Sequence, residues 1–186
     1  MGLIFLNGTT SAGKTSIARA LQAQLVRPYC MTGIDDAFAM LPDRLHNNSE
    51  GFFFDRDERN LVRLNFGPVG LTCLKAHHRS VAAIARCGVD LICDEVIFTE
   101  ELRRDWMEVL SGIETIFVGV HCSPEELDRR EITRGDRVIG QARGQIDVVH
   151  AHMRYDIEVD STDQSPAMLA REISVRLPAS FSQATG

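Results

Sequence analysis

Gly8-Thr9-Thr10-Ser11-Ala12-Gly13-Lys14-Thr15 satisfies every fixed position of the phosphate-binding loop G-x-x-x-x-G-K-[ST]. Its two glycines let the backbone curl until successive N–H groups point inward and cradle a polyphosphate. Lys14 is placed to reach the β- and γ-phosphates, and the Thr15 hydroxyl to ligate Mg²⁺. Just outside the loop, Leu3-Ile4-Phe5-Leu6 reads as a short buried strand. On the other side, Ile17, Leu21 and Leu25 form the stripe of a helix whose positive N-terminus meets the phosphates. Gly8 to Ser16 is therefore the expected binding segment for a nucleoside triphosphate.

The rest of the chain fits that setting. At 186 residues it is long enough for one well-buried domain, read as spanning 1–186. A net charge of −6 argues against nucleic acid as the main partner. No apolar run approaches membrane-spanning length, and the start goes straight into a strand rather than a signal peptide. Five cysteines, odd in number and never C-x-x-C, suit reduced thiols in a cytoplasmic protein. A homo-oligomer is left open.

Further along, Tyr29 to Thr32 is a second strand, and Asp35 and Asp36 follow its end. Ligands of open α/β sheets sit outside the carboxyl ends of strands, so one of these carboxylates should face the cleft. The other reading of Asp36 is N-cap of a short helix over residues 37–41. Residues 43–67 form a hairpin or irregular excursion near the acceptor, with Phe52-Phe53-Phe54 as local core or acceptor contacts. Asp36, Phe38, Met40 and Phe53 are the candidates for touching the acceptor.

Pro68 opens a long helix with Leu71, Leu74, His78, Val81 and Ala85 on one stripe, and Gly88 ends it. His78 on that stripe reads as a core histidine. Leu91 to Glu95 is a buried strand ending in carboxylates, where Asp94 suits a magnesium-associated role and Glu95 points to the opposite face. Thr99 caps a helix that buries Trp106, residues 114–120 make a strand, and Ser123-Pro124 starts another helix. That helix carries Arg129 and Arg130 and runs into a lid at about 133–141, in which Arg134 and Arg137 neutralise the transferring phosphoryl group. Gln141 to Val149 is a helix weakened by Gly144. Ile157 to Val159 is the last strand, its following loop placed near the adenine. Pro166 opens the final helix, and the small, polar tail 178–186 has the composition of a disordered end. Strands alternating with helices give an α/β fold: a five-stranded parallel sheet with helices on both faces.

The catalytic parts are then Lys14, Asp35 as the acid that takes the acceptor's proton (with Asp36 competing), Arg134 and Arg137, with Thr15 and Asp94 as the metal pair. Asn7 to Thr15, Gly33-Ile34-Asp35 with Met40 and Pro42, Thr133 to Gly140, Val148-Val149-His150 and Tyr155 to Thr162 together resemble the chloramphenicol phosphotransferases. The resemblance implies a nucleotide-kinase-like fold using ATP and Mg²⁺ to phosphorylate a hydroxyl of chloramphenicol, thereby inactivating it. It implies Asp35 as base, Lys14 and Thr15 on the triphosphate and Mg²⁺, and Arg134 and Arg137 over the phosphates. Asp36 and residues 43–67 depart from the family, which leaves the acceptor open to other small hydroxylated molecules, such as a nucleoside or sugar acid. The reading from another class is a nucleotide-dependent regulatory module with no acceptor; no N-K-x-D guanine-reading segment occurs.

Overall fold

The computed structural model describes residues 2–135, 138–151 and 153–182. Seven strands and eight α-helices are found among them: β1 (Leu3–Asn7), α1 (Lys14–Gln24), β2 (Tyr29–Gly33), α2 (Ile34–Ala39), β3 (Phe52–Arg56), β4 (Val62–Phe66), α3 (Pro68–Arg86), β5 (Asp90–Glu95), α4 (Glu100–Val109), β6 (Thr115–His121), α5 (Pro124–Arg134), α6 (Gln141–Val149), β7 (Ile157–Asp160), α7 (Pro166–Arg176) and α8 (Ala179–Ser182). Five strands form one parallel sheet in the order β2-β5-β1-β6-β7, as expected from the alternating pattern. β3 and β4 form a separate antiparallel hairpin.

β1 is buried along its whole length because it is the middle strand, covered on both faces. Its side chains alternate between two cores. Ile4 and Leu6 join Ile17 and Leu21 of α1 and Leu169 and Ile173 of α7. Leu3 and Phe5 join Val81 of α3 and Trp106 of α4, with the Phe5 and Trp106 rings edge to face at 5.0 Å. His78 lies in the core as its stripe position predicts. It is 1% exposed, stacked on Trp106 at a centroid distance of 4.0 Å, with Nδ1 2.5 Å from Asp105.

Helix ends follow the local chemistry. Thr99 and Ser123 accept from the N–H groups of Leu102 and Glu126, so both are side-chain caps. Ser165 caps α7 in the same way. Gly88 terminates α3 with φ +92°, a left-handed turn that glycine takes without steric cost.

Three expectations are corrected. First, α2 begins at Ile34, not at residue 37, and its cap is Gly33. Asp36 is therefore not the N-cap: as the third helical residue, it folds back to accept from Gly33 N at 3.0 Å and Thr32 Oγ1 at 2.8 Å. Second, α6 runs unbroken through Gly144, which permits its packing. A Cβ there would lie 1.8 Å from the Val62 carbonyl oxygen, so β4 crosses α6 where the side chain is missing. Arg63 donates to the Gly144 carbonyl and to both Asp147 and Asp57, tying the hairpin to the helix. Third, residues 179–182 of the tail form α8. Phe181 is fully buried on Gly2, and its carbonyl accepts from Tyr29 Oη at 3.0 Å.

Gly144→Val should detach the hairpin, because backbone rather than a movable side-chain tip opposes the new atoms. The expected cost is about 1–3 kcal/mol, read in urea unfolding, and residues 52–66 should become sites of early proteolysis in the variant alone. An unchanged midpoint and digestion pattern would contradict this packing.

Candidate active site

The loop after β1 takes the shape its glycines predict. Ser11 and Gly13 both have positive φ, +60° and +86°, which turns consecutive N–H groups toward one side. Gly8 lets the loop lie against β6: a Cβ there would be 2.4 Å from the Val120 carbonyl oxygen. Asn7 holds the base of the loop. Its Nδ2 donates to Val149 O and Tyr155 Oη at 2.9 and 2.7 Å, and its Oδ1 accepts from Ile97 N at 2.9 Å. The buried Ser11 Oγ has no hydrogen-bond partner among the described residues. An orphaned buried hydroxyl costs about 1–3 kcal/mol, and a ligand oxygen would remove that cost. The loop therefore fits a triphosphate.

Beside it, Thr15 Oγ1 donates to Asp94 Oδ2 at 2.5 Å, and Lys14 Nζ lies 2.9 Å from Thr9 O and 3.6 Å from Asp94 Oδ1. A hydroxyl and a carboxylate are hard oxygen ligands, and no group of three or more His, Cys, Asp or Glu residues suited to a metal occurs among the described residues. Such a pair, completed by phosphate oxygens and water, fits Mg²⁺. Glu95 points to the other face, as strand alternation predicts. It is 1% exposed, 3.5 Å from His77 Nε2, and burial raises its pKa.

The register of the sheet brings the two acidic strand ends together. Gly33, the last residue of β2, pairs with Asp94 of β5, and no Cβ fits between Gly33 and the Asp94 carbonyl. Asp35 follows two residues later in the first turn of α2 and lines a cavity of about 390 Å³ with Lys14, Thr15, Asp94 and Arg134. Alternation does not decide between Asp35 and Asp36, because both are helical and about 100° apart around the axis. Both line the cavity, and the Asp36 carboxylate accepts from Gly33 N and Thr32 Oγ1. Its apolar lining residues are Met31, Ile34, Phe38, Leu64, Val96 and Phe98, of which Ile34, Phe38, Val96 and Phe98 belong to one cluster. Phe38 is thus at the cavity. Met40 and Phe53 are not among its lining residues; Met40 is 63% exposed. Phe52, rather than Phe53, packs against Phe38, with the ring centroids 4.6 Å apart and the planes tilted by 39°.

A second cavity of about 360 Å³ lies on the other side of the loop, lined by Ser11, Ser16, Ile17, Arg130, Ser161 and Pro166 among others. Arg130 donates to Ser161 O at 2.5 Å and to Ser161 Oγ at 3.2 Å, and Glu126 holds its Nε at 2.7 Å. The Glu126 carboxyl is held down to about 2 by Arg129 and Arg130. The loop after β7 thus lies beside a groove that can take a nucleoside. Arg134 lines both cavities. Arg137 lies outside the described residues.

Sequence reasoning did not pick out Glu131, Gln145 or the part played by Arg130. Glu131, 1% exposed, accepts from Gly140 N at 2.8 Å and Ala142 N at 2.6 Å, so its carboxylate caps α6 across the lid segment. Gln145 Oε1 accepts from Thr10 N at 2.6 Å. The available signals were only an acid inside a polar helix and a glutamine one position after Gly144.

Comparison with known proteins gives the family and the fold. The sequence matches the family model described as chloramphenicol phosphotransferase-like protein over residues 1–178. It is 37% identical over 179 residues to a Mycobacterium tuberculosis protein named "Putative O-phosphotransferase", covering 92% of this chain and 80% of that one. Among solved structures, the fold is similar to an M. tuberculosis APS kinase, in complex with AMPPNP and APS, with TM-score 0.66, 15% identity, and 94% and 96% coverage of this chain and that one. It is also similar to a gluconokinase from Sinorhizobium meliloti (0.61, 16% identity, 94% and 90%). A Deinococcus radiodurans tunicamycin resistance protein gives 0.62 at 14% identity, with 95% of each chain covered. At these identities the likeness is one of fold.

Proposed function

The chain belongs to the chloramphenicol phosphotransferase-like family and is a phosphotransferase enzyme of P-loop kinase fold, and from that premise we propose that it transfers the γ-phosphoryl group of ATP to an alcohol of chloramphenicol or a related hydroxylated antibiotic. One observation supports the reading: Asp35 lines one cavity with Lys14, Thr15, Asp94 and Arg134, and Ile34, Phe38, Leu64, Val96 and Phe98 line it too.

In this reading, residues 8–16 hold the triphosphate and the second cavity holds the nucleoside. The acceptor body lies against Phe38, Leu64, Val96 and Phe98, with its hydroxyl turned toward Asp35. The hydroxyl oxygen attacks the γ-phosphorus, the bond to the β–γ bridging oxygen breaks, and ADP leaves. The hydroxyl proton passes to the Asp35 carboxylate and then to water. Lys14 and Arg134 neutralise charge on the phosphoryl oxygens as it moves. Mg²⁺, held by Thr15 and Asp94, would supply further charge neutralisation on the phosphates.

A second reading, an anionic metabolite such as a sugar acid as acceptor, is favoured by one feature. Arg19, exposed on α1, lines the same cavity and offers a cation to a carboxylate. ADP release separates the two. The proposal expects release to be stimulated by chloramphenicol, and Arg19→Ala to leave that stimulation within about threefold, as for a rim charge. Stimulation by gluconate and not by chloramphenicol, lost in Arg19→Ala, would replace the first reading with the second. Slow hydrolysis that no acceptor accelerates would favour a nucleotide-dependent regulatory module.

A further inference from the structure

Gln145 sits on α6, the helix that follows the lid, with its side chain directed under the phosphate loop. It is 3% exposed, and its Oε1 accepts from the backbone N–H of Thr10 at 2.6 Å. That contact fixes the carboxamide's orientation: an N–H donor requires the oxygen, so Nε2 must be the other end. Nε2 is buried and has no hydrogen-bond partner among the described residues. Native interiors rarely leave such a donor unmet unless a ligand or water completes it.

Gln145 lines the cavity that holds Thr10, Lys14, Asp35 and Asp94, and does not line the second cavity, beside Arg130 and Ser161. Its donor therefore belongs to the end of the groove away from the nucleoside, where the transferred group meets its acceptor. We infer that Gln145 is a γ-phosphate-binding residue: its Nε2 donates to an oxygen of the terminal phosphate, while its Oε1 keeps the amide registered on Thr10. The inference rests on the ATP reading above. It adds a way for the site to tell ATP from ADP.

Titration calorimetry on the full chain with MgCl₂, using ADP and the non-hydrolysable analogue AMPPNP as probes, tests this. Gln145→Glu keeps an oxygen for Thr10 N and removes the donor. It should weaken AMPPNP at least about tenfold, the scale of a lost hydrogen bond to a charged group, and leave ADP within about twofold. Gln145→Met, of similar length and without charge, should weaken AMPPNP about three- to tenfold, again sparing ADP, and stands in if the glutamate variant does not fold. Equal loss for both nucleotides would mean a disturbed loop and would overturn the assignment. So would unchanged AMPPNP affinity, or a loss in the glutamate variant that the methionine variant does not share, which would be charge repulsion alone. Wild-type protein binding neither nucleotide would instead sink the ATP reading and this inference with it.

Discussion

Asp35→Asn is expected to lower kcat for phosphoryl transfer by about 10²–10⁴-fold, the usual contribution of a positioned general base, with the KM for ATP unchanged within about twofold. The amide keeps the size and place of the carboxylate in the first turn of α2 but cannot take the hydroxyl proton. The nucleotide side of the site, Lys14, Thr15 and Asp94, does not depend on it. Asp36→Asn should behave differently. Its carboxylate accepts from Gly33 N and Thr32 Oγ1, a structural task that an amide oxygen partly fulfils. Its expected loss is within about tenfold, below the range of a positioned base. A rate profile in which the Asp36 variant collapses and the Asp35 variant does not would reverse the two roles.

The second large effect is on stability. Arg27 is 6% exposed and donates to both carboxylate oxygens of Asp90, at 2.8 Å from Nε and 2.6 Å from Nη2. Gly2 N also donates to Asp90, at 2.7 Å, and Arg27 reaches the Ser180 carbonyl, so the pair joins the start of β1, the start of β5 and α8. Asp90→Ala would leave a buried guanidinium with one carbonyl partner. Breaking a buried pair this way costs about 3–5 kcal/mol, which at this chain length lowers Tm by roughly 6–20 °C. Replacing both residues with apolar ones of similar volume should recover most of the loss, because it is the uncompensated charge that is expensive. An unfolding free energy from urea titration within about 1 kcal/mol of wild type for Asp90→Ala would contradict the account of this pair.

What the sequence made legible was local. Strand, phosphate loop and helix are contiguous between residues 3 and 24, so one motif orders the centre of the sheet. The caps at Thr99 and Ser123 and the stripe of α3 need only near neighbours. The opposite facing of Glu95 followed from strand alternation, and the strand-end carboxylate beside the phosphate loop made Asp94 the metal candidate. What stayed hidden depends on contacts far apart in the chain. Gly144 reads as a helix defect until Val62 is seen against it. The polar tail looks unstructured because its one anchoring ring, Phe181, finds Gly2 and Tyr29 more than 150 residues away. The start of α2 was placed three residues late because no local signal announces that a glycine ending a strand also starts a helix. Gln145 and Glu131 are ordinary polar residues whose meaning comes from Thr10 and from the Gly140 and Ala142 amides.

The central claim is that Asp35 faces the γ-phosphate held by residues 8–16 with space between them for an alcohol. The direct measurement is the fate of label from γ-labelled ATP incubated with the enzyme, Mg²⁺ and chloramphenicol. The account predicts label in a phosphate ester of the antibiotic, formed by the wild type and nearly absent with Asp35→Asn. Label found only as inorganic phosphate, at equal rates in both proteins, would contradict it.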